Sequence, residues 1–282
     1  MNPQQVRDFF TLNHTRPKKQ LGQNFLVNPE VLNIILEAGE VTDCDTVIEI
    51  GAGLGYLTDA LARRAKRVIA VEIDELLYNA LVAQFAIDSH VQPLNTDILK
   101  LELNSLLQSE NTSHIYKVIA NLPYSITTPI LWKLLAHQKQ IQSCVLMMQK
   151  EVAERIVAGP GGKDYGALTI GVAYHAEPTL IATLSPENFY PSPRVDSALL
   201  KLTMRESPKV SVEDEVLFFK IVRTGFRTRR KMLKNALVRG RFASAERLAA
   251  AFEETGIAPE RRAETLDITE YAALTNFLSQ NY

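Results

Sequence analysis

Residues 46–61 read TVIEIGAGLGYLTDAL. The apolar, partly β-branched run TVIEI predicts a strand. Gly51, Gly53 and Gly55 follow at alternate positions, and YLTDAL then resumes with helical spacing. A strand that passes through a glycine turn into a helix is the local form of a cofactor loop in an open α/β sheet, because glycine turns the backbone sharply and admits a ligand close to it. The spacing is not that of a dinucleotide fingerprint, since Tyr56 stands where G-x-G-x-x-G would place its third glycine. Glu49 precedes the turn, and a carboxylate there suits a cationic or amine-bearing ligand better than a pyrophosphate.

Around this loop the chain alternates. Strand-like runs lie at Thr46 to Ile50, Arg67 to Glu72, Val91 to Asn95, Ile115 to Ala120 and Ser143 to Met148, with helix-like stretches at Leu54 to Arg64, Glu75 to Phe85 and Pro129 to His137. The alternation predicts parallel strands joined by crossovers, hence an α/β, Rossmann-like sheet covered on both faces. GPGGKDYG, from Gly159, reads as a mobile surface loop; two further strands are expected at Ile170 to Ala176 and Ser197 to Thr203. From about Ser207 helical periodicity takes over, in VEDEVLFFKIVRTGF, RRKMLKNALV and SAERLAAAFEETG, the last two followed by or ending at Gly240 and Gly256. The expected organisation is a cofactor-binding domain with an N-terminal extension over 1–206 and a small all-helical domain over 207–282, the boundary falling near Glu206 to Pro208.

At 282 residues and 46% hydrophobic content the chain can bury a sizeable core in more than one domain, and a net charge of −1 means that any nucleic-acid surface must arise from where charge is placed. Cys44 and Cys144 are too far apart for a metal spacing and read as two buried thiols of a reducing cytosol. Five scattered histidines add no metal motif. No apolar run approaches the ~18 residues of a membrane span, so the expectation is a soluble, cytoplasmic protein with no membrane and no metal.

Glu72 closes the strand after the glycine turn, at 72 − 51 = 21 residues beyond Gly51. That is where an acidic residue accepts hydrogen bonds from ribose hydroxyls. Together with the non-pyrophosphate loop it implies an adenosine-bearing ligand without phosphate. Asp97 follows the third strand at the same sheet edge, where its carboxylate either accepts from an adenine amine or caps the next helix.

After the fourth strand comes Asn121-Leu122-Pro123-Tyr124. Methyl transfer from a sulfonium to an aromatic amine is difficult because the nitrogen lone pair is delocalised into the ring. Acceptors that hold the two N–H groups turn that lone pair toward the methyl. Asn121 offers a side-chain carbonyl and Leu122 a backbone carbonyl, Pro123 stiffens the turn, and Tyr124 offers a face for a splayed-out base, worth roughly 1–3 kcal/mol. Phe189, which opens FYPSPRVDS, either sandwiches that base or serves as a buried loop anchor.

With KKQLGQNFL (Lys18 to Leu26), VEID (Val71 to Asp74), TDIL (Thr96 to Leu99), ANLPYSITTPIL (Ala120 to Leu131), FYPSPRVDS and FRTRRKMLKNAL (Phe226 to Leu237), the chain resembles the ribosomal RNA adenine N6,N6-dimethyltransferases of the bacterial small-subunit, kasugamycin-sensitivity type. The resemblance covers nearly the whole length. It implies a class I methyltransferase sheet using S-adenosyl-L-methionine, with Asn24, Leu26, Gly51, Glu72, Asp97 and Asn121 contacting the cofactor. It further implies dimethylation of two adjacent adenosines near the 3′ end of small-subunit rRNA, within a pre-ribosomal small subunit, by a monomer. Ser125 departs from the asparagine that close relatives often carry after NLPY.

Between Arg223 and Arg241 stand eight Lys or Arg residues and no acidic one. Arg223, Arg227, Arg229, Arg230, Lys231 and Lys234 are the expected RNA-binding residues, neutralising phosphates in a salt-dependent, sequence-blind way; Arg16, Lys18 and Lys19 are candidates for a second patch. The competing possibilities are a large-subunit rRNA methylase of the antibiotic-resistance type, a non-catalytic RNA-binding factor on a methyltransferase fold, and an NAD-dependent oxidoreductase. FRTRRKMLKNAL and the later RAETLDITEYAAL, intact Asn121, Pro123 and Tyr124, and Tyr56 respectively speak against them.

Overall fold

The computed structural model describes residues 1–108, 115–228 and 230–280, so Arg229 lies outside the described residues. In chain order the elements are α1 (Pro3–Leu12), β1 (Phe25–Leu26), α2 (Pro29–Gly39), β2 (Thr46–Ile50), α3 (Tyr56–Ala62), β3 (Arg67–Glu72), α4 (Glu75–Gln84), β4 (Val91–Asn95), α5 (Leu103–Gln108), β5 (Tyr116–Asn121), α6 (Thr127–Leu135), β6 (Ile141–Gln149) and α7 (Lys150–Val157). They continue with α8 (Ala167–His175), β7 (Ala176–Leu184), β8 (Phe189–Tyr190), β9 (Ser197–Met204), α9 (Glu215–Arg227), α10 (Leu233–Arg239), α11 (Ala245–Glu254) and α12 (Ile268–Ser279). The chain forms two compact units, Met1–Ala153 with Pro178–Met204, and Glu154–Glu177 with Arg205–Tyr282.

In the first unit seven strands run in the order β4-β3-β2-β5-β6-β9-β7. β4, β3, β2, β5 and β6 are parallel neighbours, and β9 joins β6 antiparallel. β2, β3 and β5 are buried along nearly their whole length, which is why TVIEI and RVIAVE read as continuous apolar runs rather than alternating ones. Ile50 of β2 is in register with Val71 of β3 and Ala120 of β5, so the turn after β2 and the segment after β5 leave the sheet at one edge. The start of α2 follows from its sequence: Asn28 caps it by accepting from the Glu30 N–H at 2.8 Å, and Pro29 occupies the first turn, where a missing N–H costs nothing. A separate two-stranded ladder pairs β1 with β8, Leu26 opposite Phe189.

The second unit is helical. α9 begins at the cap Asp214, α11 at Ser244 and α12 at Asp267, each side chain accepting a backbone N–H of the first turn. Within it, Tyr174 and His175 of α8 pack edge-on and stacked against Phe218 and Phe219 of α9.

Four expectations are corrected. Of the strand expected at Ile170 to Ala176, Ile170 to His175 is instead most of α8, in which Leu168, Ile170, Val172, Tyr174 and His175 are all buried, and Ala176 opens β7. An apolar run buried on every side carries no period to separate helix from strand. The stretch 154–177, assigned above to the cofactor-binding domain, belongs to the helical unit. The glycine-rich loop is exposed at 159–163, as a surface loop should be, but it is tied at two points: the Gly161 N–H donates to the Glu264 carbonyl at 2.7 Å, and Tyr165 is buried against Phe226. Finally, Cys44 is exposed, while Cys144 is buried in β6. No helix among the described residues is long and apolar enough to cross a membrane.

Candidate active site

The glycine turn folds back over the end of β3. The N–H groups of Gly51 and Ala52 both donate to the Val71 carbonyl, at 2.8 and 3.2 Å. Gly51 and Gly53 have φ of +75° and +61°, a left-handed conformation costly to any residue with a Cβ. Space is also tight at Gly53, where a Cβ would lie 3.2 Å from the Phe25 ring, whereas one on Gly51 would lie in ordinary contact, 3.5 Å from the Asn121 carbonyl oxygen. The turn therefore reaches the Asn-Leu-Pro-Tyr segment directly.

These two segments border a cleft at the carboxyl ends of β2, β3, β4 and β5. Asn24, Leu26, Gly51, Glu72, Asp97 and Asn121 all line it, together with Glu49 and Pro123. Both Glu72 oxygens are engaged by backbone: Oε2 accepts from Gly53 N–H and Oε1 from Asp74 N–H, each at 2.8 Å. Burial raises its carboxyl above the ordinary range, against the opposing pull of those N–H groups. Each oxygen retains a second lone pair for a ligand hydroxyl. Asp97 lines the cleft, and its Oδ1 accepts from Leu99 N–H at 2.9 Å within a turn that precedes α5, so it closes that turn and does not cap the helix.

Glu49 is 2% exposed. It accepts a hydrogen bond from the Thr58 hydroxyl at 2.6 Å, and burial, aided by repulsion from Glu72, pushes its carboxyl up to about 8. Two buried acids beside one cleft, both raised by burial, make a wall that gains from a positively charged occupant.

In the tetrapeptide, the Asn121 side-chain N–H donates to the Asn24 carbonyl at 2.8 Å. Only the nitrogen of an amide can serve a carbonyl, so Oδ1 is the atom left to accept. Leu122 is buried and its N–H is held by the Met147 carbonyl at 2.9 Å, which fixes the turn carrying its own carbonyl. Pro123 lines the cleft. Tyr124, half-buried, shares a 2.5 Å hydrogen bond with the Ser197 hydroxyl, and burial raises its phenol. That bond joins NLPY to the last residue of FYPSPRVDS. Ser125 is exposed.

Phe189 is a core residue, 2% exposed in the cluster that also holds Leu26, Leu199 and Met147, so it answers to the buried-anchor alternative and offers no open face for a base. Lys18 is no free basic residue either, because it pairs with Asp74 at 3.0 Å. Gln23 lines the cleft and Asp74 and Lys18 are bonded beside it; all three fall within KKQLGQNFL or VEID, but nothing in those motifs by themselves gave their pairing.

A parallel sheet closed by antiparallel β9, with an acid-walled cleft where its glycine turn meets an amine-orienting segment, defines a class I S-adenosylmethionine-dependent methyltransferase. The profile of the family described as ribosomal RNA adenine dimethylase matches residues 14–280, and the chain belongs to that family. It is therefore an rRNA adenine dimethyltransferase that uses S-adenosylmethionine. Relatives named ribosomal RNA small subunit methyltransferase A are 45% identical over 266 residues in Geobacillus thermodenitrificans, covering 93% of this chain and 90% of the relative. Another, in Alkaliphilus oremlandii, is 41% identical over 280 residues, with 99% and 98% covered. Among solved structures, a dimethyladenosine transferase from Plasmodium falciparum superposes with a TM-score of 0.75 at 27% identity, over 89% of this chain and 95% of that one. The 23S rRNA methyltransferase ErmE gives 0.68 at 25% identity, over 91% and 100%.

Proposed function

We propose that this enzyme dimethylates the N6 amines of two adjacent adenosines near the 3′ end of small-subunit rRNA, acting as a cytoplasmic monomer on a pre-ribosomal small subunit. The observation that carries the reading is the meeting of the glycine turn with Asn121, 3.5 Å from a Gly51 Cβ position to the Asn121 carbonyl oxygen, beside the acid-walled cleft. Bound there, S-adenosylmethionine supplies a methyl group on a positively charged sulfur. Glu72 accepts from the ribose hydroxyls, Asp97 from the adenine amine, and Asn24, Leu26 and Gly51 complete the walls; the buried carboxyls of Glu49 and Glu72 suit the cationic group.

At the target base, Asn121 Oδ1 and the Leu122 carbonyl hold the two amine hydrogens, and Pro123 keeps both acceptors in place. Tyr124 stacks on the base, its ring steadied through Ser197. The methylated amine sheds its proton readily, so no general base is needed and the residues act by positioning. In the helical unit, Arg223, Arg227, Arg230, Lys231 and Lys234, with Arg229 beyond the described residues, bind RNA phosphates. The choice of the small subunit over the large is supported by relatives of that name at 41–46% identity, against 25% for ErmE.

The test incubates the purified chain with labelled S-adenosylmethionine and, side by side, unmethylated small subunits and naked large-subunit RNA, and maps the methylated adenines by mass spectrometry. Two neighbouring dimethyladenosines in the small-subunit RNA are expected. Modification of large-subunit RNA alone would replace this reading with the antibiotic-resistance type, and cofactor binding without any transfer would replace it with a binding factor.

A further inference from the structure

Asp74 lies two residues beyond Glu72, at the start of α4, and its side chain is 1% exposed. Three donors surround it. Oδ1 accepts from Lys18 Nζ at 3.0 Å and from the Leu76 N–H at 3.1 Å, and Oδ2 accepts from Gln23 Nε2 at 2.7 Å. The same Gln23 amide accepts the Lys18 backbone N–H at 2.6 Å, so Lys18, Gln23 and Asp74 close a ring of hydrogen bonds. The Leu76 bond is an ordinary helix cap. The other two come from 56 and 51 residues away and add nothing that α4 needs.

What they hold is the stretch from Lys18 to Leu26. It turns at Gly22, where φ is +65° and a Cβ would lie 3.3 Å from Pro123 Cβ. It then presents the Asn24 carbonyl to Asn121 and Leu26 to the cleft. The stretch is thus fastened at one end to Asp74 and at the other to the Asn-Leu-Pro-Tyr segment. Asp74 in turn holds Glu72 through its own N–H.

We propose that Asp74 is a positioning residue whose carboxylate latches residues 18–26 across the cleft, fixing the Asn24–Leu26 wall opposite Glu72 and so setting cofactor affinity without entering methyl transfer. This rests on the cofactor assignment of the cleft made above. Charge-assisted bonds of this kind contribute more than neutral ones, but Lys18 is half exposed, which screens its share.

The experiment titrates S-adenosylhomocysteine calorimetrically into wild type, Lys18→Met, Gln23→Leu, Lys18→Arg and Asp74→Asn, and measures methyl transfer to small subunits at saturating cofactor. Lys18→Met and Gln23→Leu leave the α4 cap intact and keep the test valid if Asp74→Asn fails to fold. Each is expected to raise Kd about fivefold, with the saturated transfer rate changed by less than about twofold and with Lys18→Arg restoring affinity. Wild-type Kd in both variants, or a slowed saturated rate at unchanged Kd, would overturn the latch. Failure of wild type itself to bind would overturn the cleft assignment and the latch with it.

Discussion

Replacing Glu49 by glutamine is expected to make the ligand-free protein more stable as pH rises. Glu49 is fully enclosed, and burial lifts its carboxyl from an ordinary 4.5 to about 8. Between those values the folded chain keeps the proton and the unfolded chain does not. Stability from this group is therefore complete below pH 4.5 and is lost as pH climbs to about 8. The loss is about 1.4 kcal/mol per pH unit, or about 5 kcal/mol over the whole window. Glu72, raised by burial, acts in the same sense, whereas His175, lowered by burial, opposes it; Asp45 and Asp74 are lowered and titrate at more acid pH.

Subtracting wild type from Glu49→Gln cancels the contributions of His175, Asp45 and Asp74 and leaves that of Glu49 with its coupling to Glu72, and glutamine keeps an oxygen for Thr58. The assay is urea unfolding at pH 5, 6, 7 and 8, followed by the fluorescence of Trp132, the single tryptophan, which lies on α6 in the unit that holds Glu49. The advantage of the variant should grow by about 4 kcal/mol between pH 5 and pH 8. A difference that stays constant across the range would refute the reasoning.

Three further outcomes follow from the site. Glu72→Ala should raise the cofactor Kd by about tenfold or more with a smaller effect on saturated rate, and Asn121→Ala should do the reverse, slowing transfer on the order of 100-fold; equal effects of both on both parameters, in binding and single-turnover assays, would reverse the roles. Tyr124→Phe keeps the ring and loses only the Ser197 bond, so its rate should fall less than about threefold, whereas Tyr124→Ala should lose about 1–3 kcal/mol of base stacking, read as kcat/KM on subunits. Replacing Arg230, Lys231 or Lys234 by alanine should each lower the slope of log Kd for rRNA against log salt by about 1, with cofactor affinity unchanged.

How far the sequence discloses this arrangement depends on the range of the interaction. β2, β3 and β4 are found at the bounds predicted; β2 and β3 are short, largely apolar runs closed by a glycine and an acid, and β4, VQPLN, is closed by a polar turn, signals that lie within a few residues. All six residues implied by the family resemblance as cofactor contacts line the cleft: Gly51, Glu72, Asp97 and Asn121 because the ends of adjacent parallel strands share an edge whatever lies between them, Asn24 and Leu26 because the N-terminal stretch is tied to Asn121. Burial without period was not legible, and so Ile170 to His175 became a helix. Nor were side-chain bonds between distant segments: Tyr124 with Ser197 spans 73 residues and Lys18 with Asp74 spans 56. Phe189 was ambiguous because an aromatic that stacks on a base and one that anchors a loop look alike until burial is known.

The most direct test of the central claim is a crystal structure of the chain with S-adenosylhomocysteine and adenosine. The cofactor product is expected between Glu72, Asp97 and the glycine turn, and the adenosine amine within hydrogen-bond reach of Asn121 Oδ1 and the Leu122 carbonyl. Either ligand bound away from the cleft, or an adenosine amine turned from both acceptors, would contradict that claim.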